Sequence, residues 1–326
     1  MQTTSGMMEI LHGRHNPGID PALHIWGWEI SVYLFLGGLA AGILILSAAL
    51  EMRAKTRPEA LRLRVMPLVA LVILSAGMVA LLADLEYKIH FWRFYLAFEP
   101  RSPMSWGSWI LLIVYPVGLL LGLGALTGEE RRGLARFPLV RPFGGLLRRA
   151  AAFSDRRRRG ILVAAVAAGA LLGAYTGLLL GTLGARPAWN TTILGPLFLL
   201  SGLSTGAAFM LLFRPPEEER HVLVRWDMAL IGAEFLFIIL MILDLATGDR
   251  ARQAAAGALL GGPYTGVFWA LVVVTGLAVP LALESVETRR SVSPTLLAPA
   301  LVLIGGLSLR WILLAAGQAS SHGLLP

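Results

Sequence analysis

Residues 26–50, WGWEISVYLFLGGLAAGILILSAAL, form an unbroken apolar run with Glu29 as its single charge. About 20 such residues in helical form cross the hydrocarbon core of a bilayer. Outward from this run, seven more segments meet the same criterion: Val65–Leu85, Trp106–Leu126, Ile161–Leu183, Ile193–Phe213, Trp226–Ala246, Thr265–Leu283 and Leu296–Gly317. Their ends carry Trp26, Trp28, Trp92, Trp106, Trp189, Trp226 and Tyr264, the aromatic belt expected where a span meets headgroups. The whole chain is 56% hydrophobic and 15% charged, with a mean hydropathy of +0.70. Soluble domains run near ~45–50% apolar and ~25% charged. The expected fold is therefore an all-α integral membrane protein of eight transmembrane helices.

The distribution of charge orients it. Seven Lys and Arg fall on the side of the N-terminus: Arg14, Lys88, Arg93, Arg101, Arg186, Arg250 and Arg252. Twenty fall on the other side, ten of them between Arg131 and Arg159. The positive-inside rule then places both termini in the periplasm of a bacterium, with the chain in the inner membrane. The net charge of +8 sits in these connectors and not on a basic face, so nucleic acid is not an expected partner. The Arg-rich loop from Gly128 to Gly160 has two readings: a solvated orientation signal, which is favoured, or a segment lying on anionic lipid headgroups. Residues Met1–Ala22 lack the apolar core and cleavage site of a removable signal peptide. Cysteine is absent, which excludes disulfides, Cys-ligated iron–sulfur clusters and c-type haem attachment in this chain.

The two halves echo each other. Gly38-Leu39-Ala40-Ala41-Gly42 corresponds to Gly202-Leu203-Ser204-Thr205-Gly206, Asp84-Leu85 to Asp244-Leu245, and Pro103 with Trp109 to Pro263 with Trp269. An even number of helices per repeat keeps both copies in the same topology, so two tandem four-helix bundles are expected. The divisions are residues 1–127 for the first three helices, 128–160 for the basic loop, 161–190 for the helix that completes the first bundle, and 191–326 for the second bundle. The paired Gly-x3-Gly motifs predict close backbone approach between helices.

Ionisable groups at membrane depth cost at least about 2.5–3.5 kcal/mol each, so each asks for a reason. Asp84, Asp244, Tyr175 and Arg310 fall toward the outer side, Asp20, His24 and Glu29 surround the outer end of the first helix, and Glu234 lies near the midplane. Arg310 sits too deep to snorkel and calls for a carboxylate partner, with Asp84 and Asp244 as candidates. Both aspartates also read as ordinary helix ends facing headgroup water. Asp20-Pro21 reads as a helix N-cap, and His24, four residues on, shares its face. A histidine beside a carboxylate at the lipid–water boundary can exchange protons near neutral pH; it can also be a simple interfacial residue. No His lies within a span, so b-type haem ligation is not expected, and no catalytic or metal-binding motif is found.

Several strings together resemble the NrfD/PsrC family, the membrane subunits of polysulfide-reductase-type complexes. They are Trp26–Glu29 with Tyr33–Gly42, Asp84-Leu85, SPMSWGSW at Ser102–Trp109, Tyr175-Thr176-Gly177, Arg186–Asn190, SGLSTGAA at Ser201–Ala208, and Arg310. The resemblance implies a quinone-reactive subunit (menaquinone or ubiquinone) with neither haem nor iron–sulfur cluster of its own. It implies a ferredoxin-like iron–sulfur partner and a molybdopterin or multihaem cytochrome catalytic subunit on the periplasmic side, with membrane lipids around the helices. The family's quinone pocket uses an Asn, a His four residues later and a Tyr in the fourth helix; Asp20, His24 and Tyr175 stand at those positions, with Asp20 departing from the amide. Asp84, Asp244, Glu234 and Arg310 form an expected proton path or charge network. A purely structural anchor and a proton- or ion-translocating subunit are the competing readings.

Overall fold

The computed structural model describes residues 26–85, 87–96, 98–138, 140–290 and 295–320, and no strand forms among them. Eight helices among the described residues are long and apolar enough to cross a membrane: α1 (Trp28–Ala54), α2 (Met66–Asp84), α3 (Pro103–Ala125), α4 (Arg158–Gly181), α5 (Leu194–Leu212), α6 (Glu217–Ala246), α7 (Thr265–Arg289) and α8 (Leu297–Ala319). The chain is a multi-pass membrane protein. The largest departure from the sequence reading is at α6, which starts nine residues earlier than the aromatic marker Trp226 suggests. Pro216 precedes Glu217, Glu218 and Glu219, and three carboxylates in a first turn complement the positive end of the helix. A charged turn can thus be helical without being apolar, which is why hydropathy alone placed the start too late.

Helices α1 and α5 lie at the centre. The first packs against α2, α4, α5 and α8, and the second against α1, α4, α6 and α8. Lipid tails are as apolar as Leu side chains, so the hydrophobic effect does little to drive helix together with helix; close van der Waals approach must do it. The glycine motifs supply that approach. A Cβ added to Gly42 would sit 2.0 Å from the Gly202 carbonyl oxygen, one on Gly202 would sit 2.7 Å from the Gly38 oxygen, and one on Gly206 would sit 2.7 Å from the Gly42 carbonyl carbon. The expected backbone contact is real, and it joins the two motifs to each other.

A second glycine contact joins α7 to α8, where a Cβ on Gly276 would come within 2.5 Å of Gly305 Cα. Around it, Phe268–Ala278 winds as a π-helix, and the Val279 amide donates to the Val274 carbonyl. Pro280 follows within the same helix and has no N–H to offer the preceding turn, so the local bonding pattern shifts there.

The ends are tied down by polar contacts. At the end where α1 begins, the Trp26 amide donates to Gln318 Oε1 at 2.9 Å, and Gln318 Nε2 donates back to the Trp26 carbonyl at 3.0 Å. Trp189 stacks on Trp26 with ring centroids 5.3 Å apart and donates its indole N–H to the Leu313 carbonyl at 2.7 Å. At the opposite end, Arg158 of α4 forms a fork with buried Glu51 of α1. The loop there folds into helices Gly128–Leu134, opened by a Thr127–Glu130 capping box, and Gly144–Arg156.

Candidate functional site

An apolar cavity of about 290 Å³ lies between the first four helices at the end where α1 begins. Leu81, Leu82, Leu85, Met78 and Leu111 form much of its wall, and three phenols, Tyr33, Tyr95 and Tyr175, bring hydroxyl groups to it. Its rim residues Val79, Phe91, Phe94 and Met104 are themselves exposed on the outer surface of α2, α3 and the connector between them. The cavity therefore faces the surroundings sideways, where lipid would lie. Tyr175 is buried, 6% exposed, at its inner wall.

The local sequence explains why the phenol reaches this point. Gly107 of α3 lies directly against the Tyr175 hydroxyl; a Cβ there would fall 2.3 Å from the Tyr175 oxygen. The rest of the SPMSWGSW string anchors the connector over the cavity. Ser108 Oγ donates to the Phe94 carbonyl at 2.7 Å, the Glu99 amide donates to Ser105 Oγ at 3.0 Å, and the Trp106 indole donates to the Pro100 carbonyl at 2.8 Å. Phe94 and Tyr95 are held in the cavity wall by these bonds. Burial pushes the Tyr95 hydroxyl above its ordinary pKa, with Tyr115 adding to the shift, so it remains a proton donor at neutral pH.

Asp20 and His24 lie outside the described residues. Of the expected charge network, two members meet. Arg310 is 1% exposed and donates from Nη1 to Ser201 Oγ at 2.9 Å and to the Gly306 carbonyl at 2.7 Å. Its guanidinium stacks near Phe35 and Phe198, with 5.8 and 5.4 Å to the ring centroids. Glu234 is the carboxylate that shares Ser201 with Arg310 and senses its charge. Neither aspartate candidate is paired with Arg310. Asp244 forms an ion pair with Arg252, eight residues along the chain. Asp84 faces the start of α1, beside Glu29 and the Gly27 backbone.

Two further carboxyl groups escaped the sequence reading, which had placed the polar functionality toward the other end. Asp227 is fully buried and accepts from Ser204 Oγ at 2.7 Å, and Glu284 of α7 approaches it at 1% exposure. Asp227 Oδ2 and both Glu284 oxygens have no hydrogen-bond donor among the described residues. Asp227 precedes Glu234 by seven residues, about two helical turns, so both look toward α5. The signal was present in that spacing, but the late start given to α6 turned Asp227 into a boundary residue.

Comparison with known proteins agrees with this picture. Residues 16–321 match the family described as polysulphide reductase, NrfD. The protein NrfD of Escherichia coli (strain K12) is 32% identical over 308 residues, covering 90% of this chain and 95% of that protein. The C component of the Wolinella succinogenes polysulfide reductase is 32% identical over 307 residues, covering 90% and 94%. The C component of a selenate reductase from Mesobacillus selenatarsenatis is 24% identical over 326 residues, covering 91% of this chain and 75% of its own length. With eight apolar helices among the described residues, paired glycine motifs and a family match over residues 16–321, the chain belongs to the NrfD polysulphide reductase family.

Proposed function

We propose that this chain is the quinone-reactive membrane subunit of a respiratory oxidoreductase complex in a bacterial inner membrane. The observation that carries the reading is the laterally open apolar cavity that ends on the Tyr175 hydroxyl. Such lining suits a flat apolar ring, and a lateral opening leaves an isoprenoid tail in lipid. A bound menaquinone or ubiquinone supplies a two-electron, two-proton couple. Tyr175 orients one ring oxygen through its hydroxyl, His24 holds or releases the proton at an imidazole nitrogen, and Asp20 completes the quinone-binding set. The leucine and methionine walls keep water away. Charge distribution supports a periplasmic placement for this end and for both termini, and therefore for a ferredoxin-like iron–sulfur partner and a molybdopterin or multihaem catalytic subunit docking there. The packing of α1 on α2 and α4 matches that of α5 on α6 and α8, which supports two four-helix units, residues 1–127 with 161–190 and residues 191–326, around the 128–160 loop.

Purified complex carrying Tyr175→Phe or His24→Ala tests this. Quinol-dependent turnover should fall by about 10²-fold, the usual scale for losing a positioned proton-transfer group. Activity of the catalytic partner with an artificial electron donor should not change. Unchanged quinol-dependent turnover in both variants would favour a purely structural anchor.

A second reading has its own observation. The buried groups Glu284, Asp227 and Ser204, then Ser201, Glu234 and Arg310, occupy α5 to α8 from one side of the membrane toward its centre. Buried ionisable groups within spans mark proton or ion routes. A translocating role predicts acidification or alkalinisation of sealed vesicles beyond that of quinone chemistry alone.

A further inference from the structure

A second cavity lies far from Tyr175, in the basic loop. It encloses about 600 Å³ between the helices Gly128–Leu134 and Gly144–Arg156 and the end of α3, and its wall includes Arg131, Arg132, Arg136, Arg141 and Arg148. The carboxylates nearby are already engaged. Asp155 accepts from Arg131 at 2.8 and 2.9 Å and from Arg57 at 2.6 Å, and Glu130 accepts from Arg64 at 3.1 and 2.5 Å. Arg132 donates to the Gly128 carbonyl at 3.3 Å, and its nearest carboxylate is the exposed Glu129 at 4.0 Å. Arg136, Arg141 and Arg148 have neither an ion pair nor a side-chain hydrogen bond among the described residues, although they edge one concavity. These exposed guanidiniums repel one another along one concavity, a field that a bound anion relieves.

The apolar surroundings say what kind of anion. Along the second loop helix, Leu147, Arg148, Ala151, Ala152 and Asp155 turn to the cavity. Phe143, Leu146 and Phe153, spaced on one neighbouring face, are 59%, 66% and 53% exposed, and Phe137 is 64% exposed. Leu123, at the membrane end of α3, closes the cavity floor. A basic hollow bordered by an uncovered apolar face, at the level where a span leaves the bilayer, matches an amphiphile with a negative head and acyl chains. We propose that this cavity binds the phosphate headgroup of an anionic phospholipid of the leaflet on the loop side, with its chains along Phe143, Leu146 and Phe153. The helix is then a lipid-seated element and not merely a solvated orientation signal.

The test is lipid binding by the full-length protein, purified and stripped of lipid, using phosphatidylglycerol or cardiolipin against phosphatidylcholine. Bound lipids are counted by native mass spectrometry, and thermal stability is followed in nanodiscs of each composition. The wild-type chain should retain and be stabilised by the anionic lipids. Arg136→Gln/Arg141→Gln/Arg148→Gln should lose apparent affinity on the order of 100-fold, from about 1 kcal/mol for each basic residue near an anionic surface. The triple Arg→Lys variant keeps the charge and should keep most of the binding. If the triple Gln variant does not fold, Arg148→Gln alone should still show fewer retained anionic lipids. Equal retention in the Gln variants overturns the proposal. So does an equal thermal shift with millimolar inorganic phosphate alone, which would assign the hollow to a free anion.

Discussion

Gly107 is the smallest residue in the candidate site and one of the most constrained. A methyl group there would overlap the Tyr175 oxygen at 2.3 Å, so Gly107→Ala must push either the phenol or α3 aside. We expect a stability cost of about 1–3 kcal/mol, as for other overpacked positions, together with a loss of quinol-dependent turnover matching that of Tyr175→Phe. Thermal melting and turnover of the same preparation check both halves of that statement. Arg310 makes the opposite case, since its Nη1 is bonded to Ser201 and Gly306 and Glu234 lies near enough to act on its charge, while its Nε has no partner among the described residues. At this scale the sequence was legible in part. Arg310 was visible as a buried charge needing a partner, because a guanidinium in a span has few alternatives. Its partner was misplaced on Asp84 and Asp244, because linear depth says nothing about which helices touch. Tyr175 was noticed for its depth, but a role for it came only through the family strings; nothing in an isolated Tyr-Thr-Gly tells a pocket phenol from an interfacial one.

Among the elements, α1 and α5 were the easiest to anticipate, for Gly-x3-Gly has one strong physical use between membrane helices. Their contact gives a sharp expectation: Gly42→Val places a branched side chain where a Cβ already meets the Gly202 oxygen at 2.0 Å. The variant should lose stability by more than Gly133→Ala, at a position where an added Cβ meets nothing within 4 Å. Detergent-resistance or thermal melts of the two variants compare them directly. The π-helical stretch of α7 was not legible, since Pro280 signals a disturbed bonding pattern without saying which pattern replaces it. The loop helices carry a pH expectation. Arg64 holds the Glu130 carboxyl below its ordinary pKa, aided by Thr127, and Arg131 with Arg57 does the same for Asp155. A depressed folded-state pKa stabilises fully above the usual carboxylate range and is lost as pH falls through the folded value. Protection of the Gly128–Leu134 amides, taken relative to the intrinsic exchange rate at each pH, should therefore be full at neutral pH and decline progressively as pH falls into and below the ordinary carboxylate range.

Seen whole, the molecule divides its chemistry between its halves. Helices α1 to α4 enclose an apolar cavity with phenols, while α5 to α8 hold Glu234, Asp227, Glu284 and Arg310. The repeat in the sequence could not announce this division, because the residues that differ are single polar substitutions within similar apolar frames. Glu234→Gln separates the two functional readings. If the buried carboxyls serve translocation, the variant complex in sealed vesicles should retain quinol-dependent electron transfer and lose any pH change beyond quinone chemistry, measured with an entrapped pH dye. If they only balance Arg310, both quantities should fall together as the fold weakens. The glycine contact between α1 and α5 bears on how such coupling would operate. Main chain rests on main chain at those glycines, so a tilt of α1 across α5 has to break that fit. Coupling that leaves this seam intact would run through side chains and protons rather than through a shift of α1 against α5.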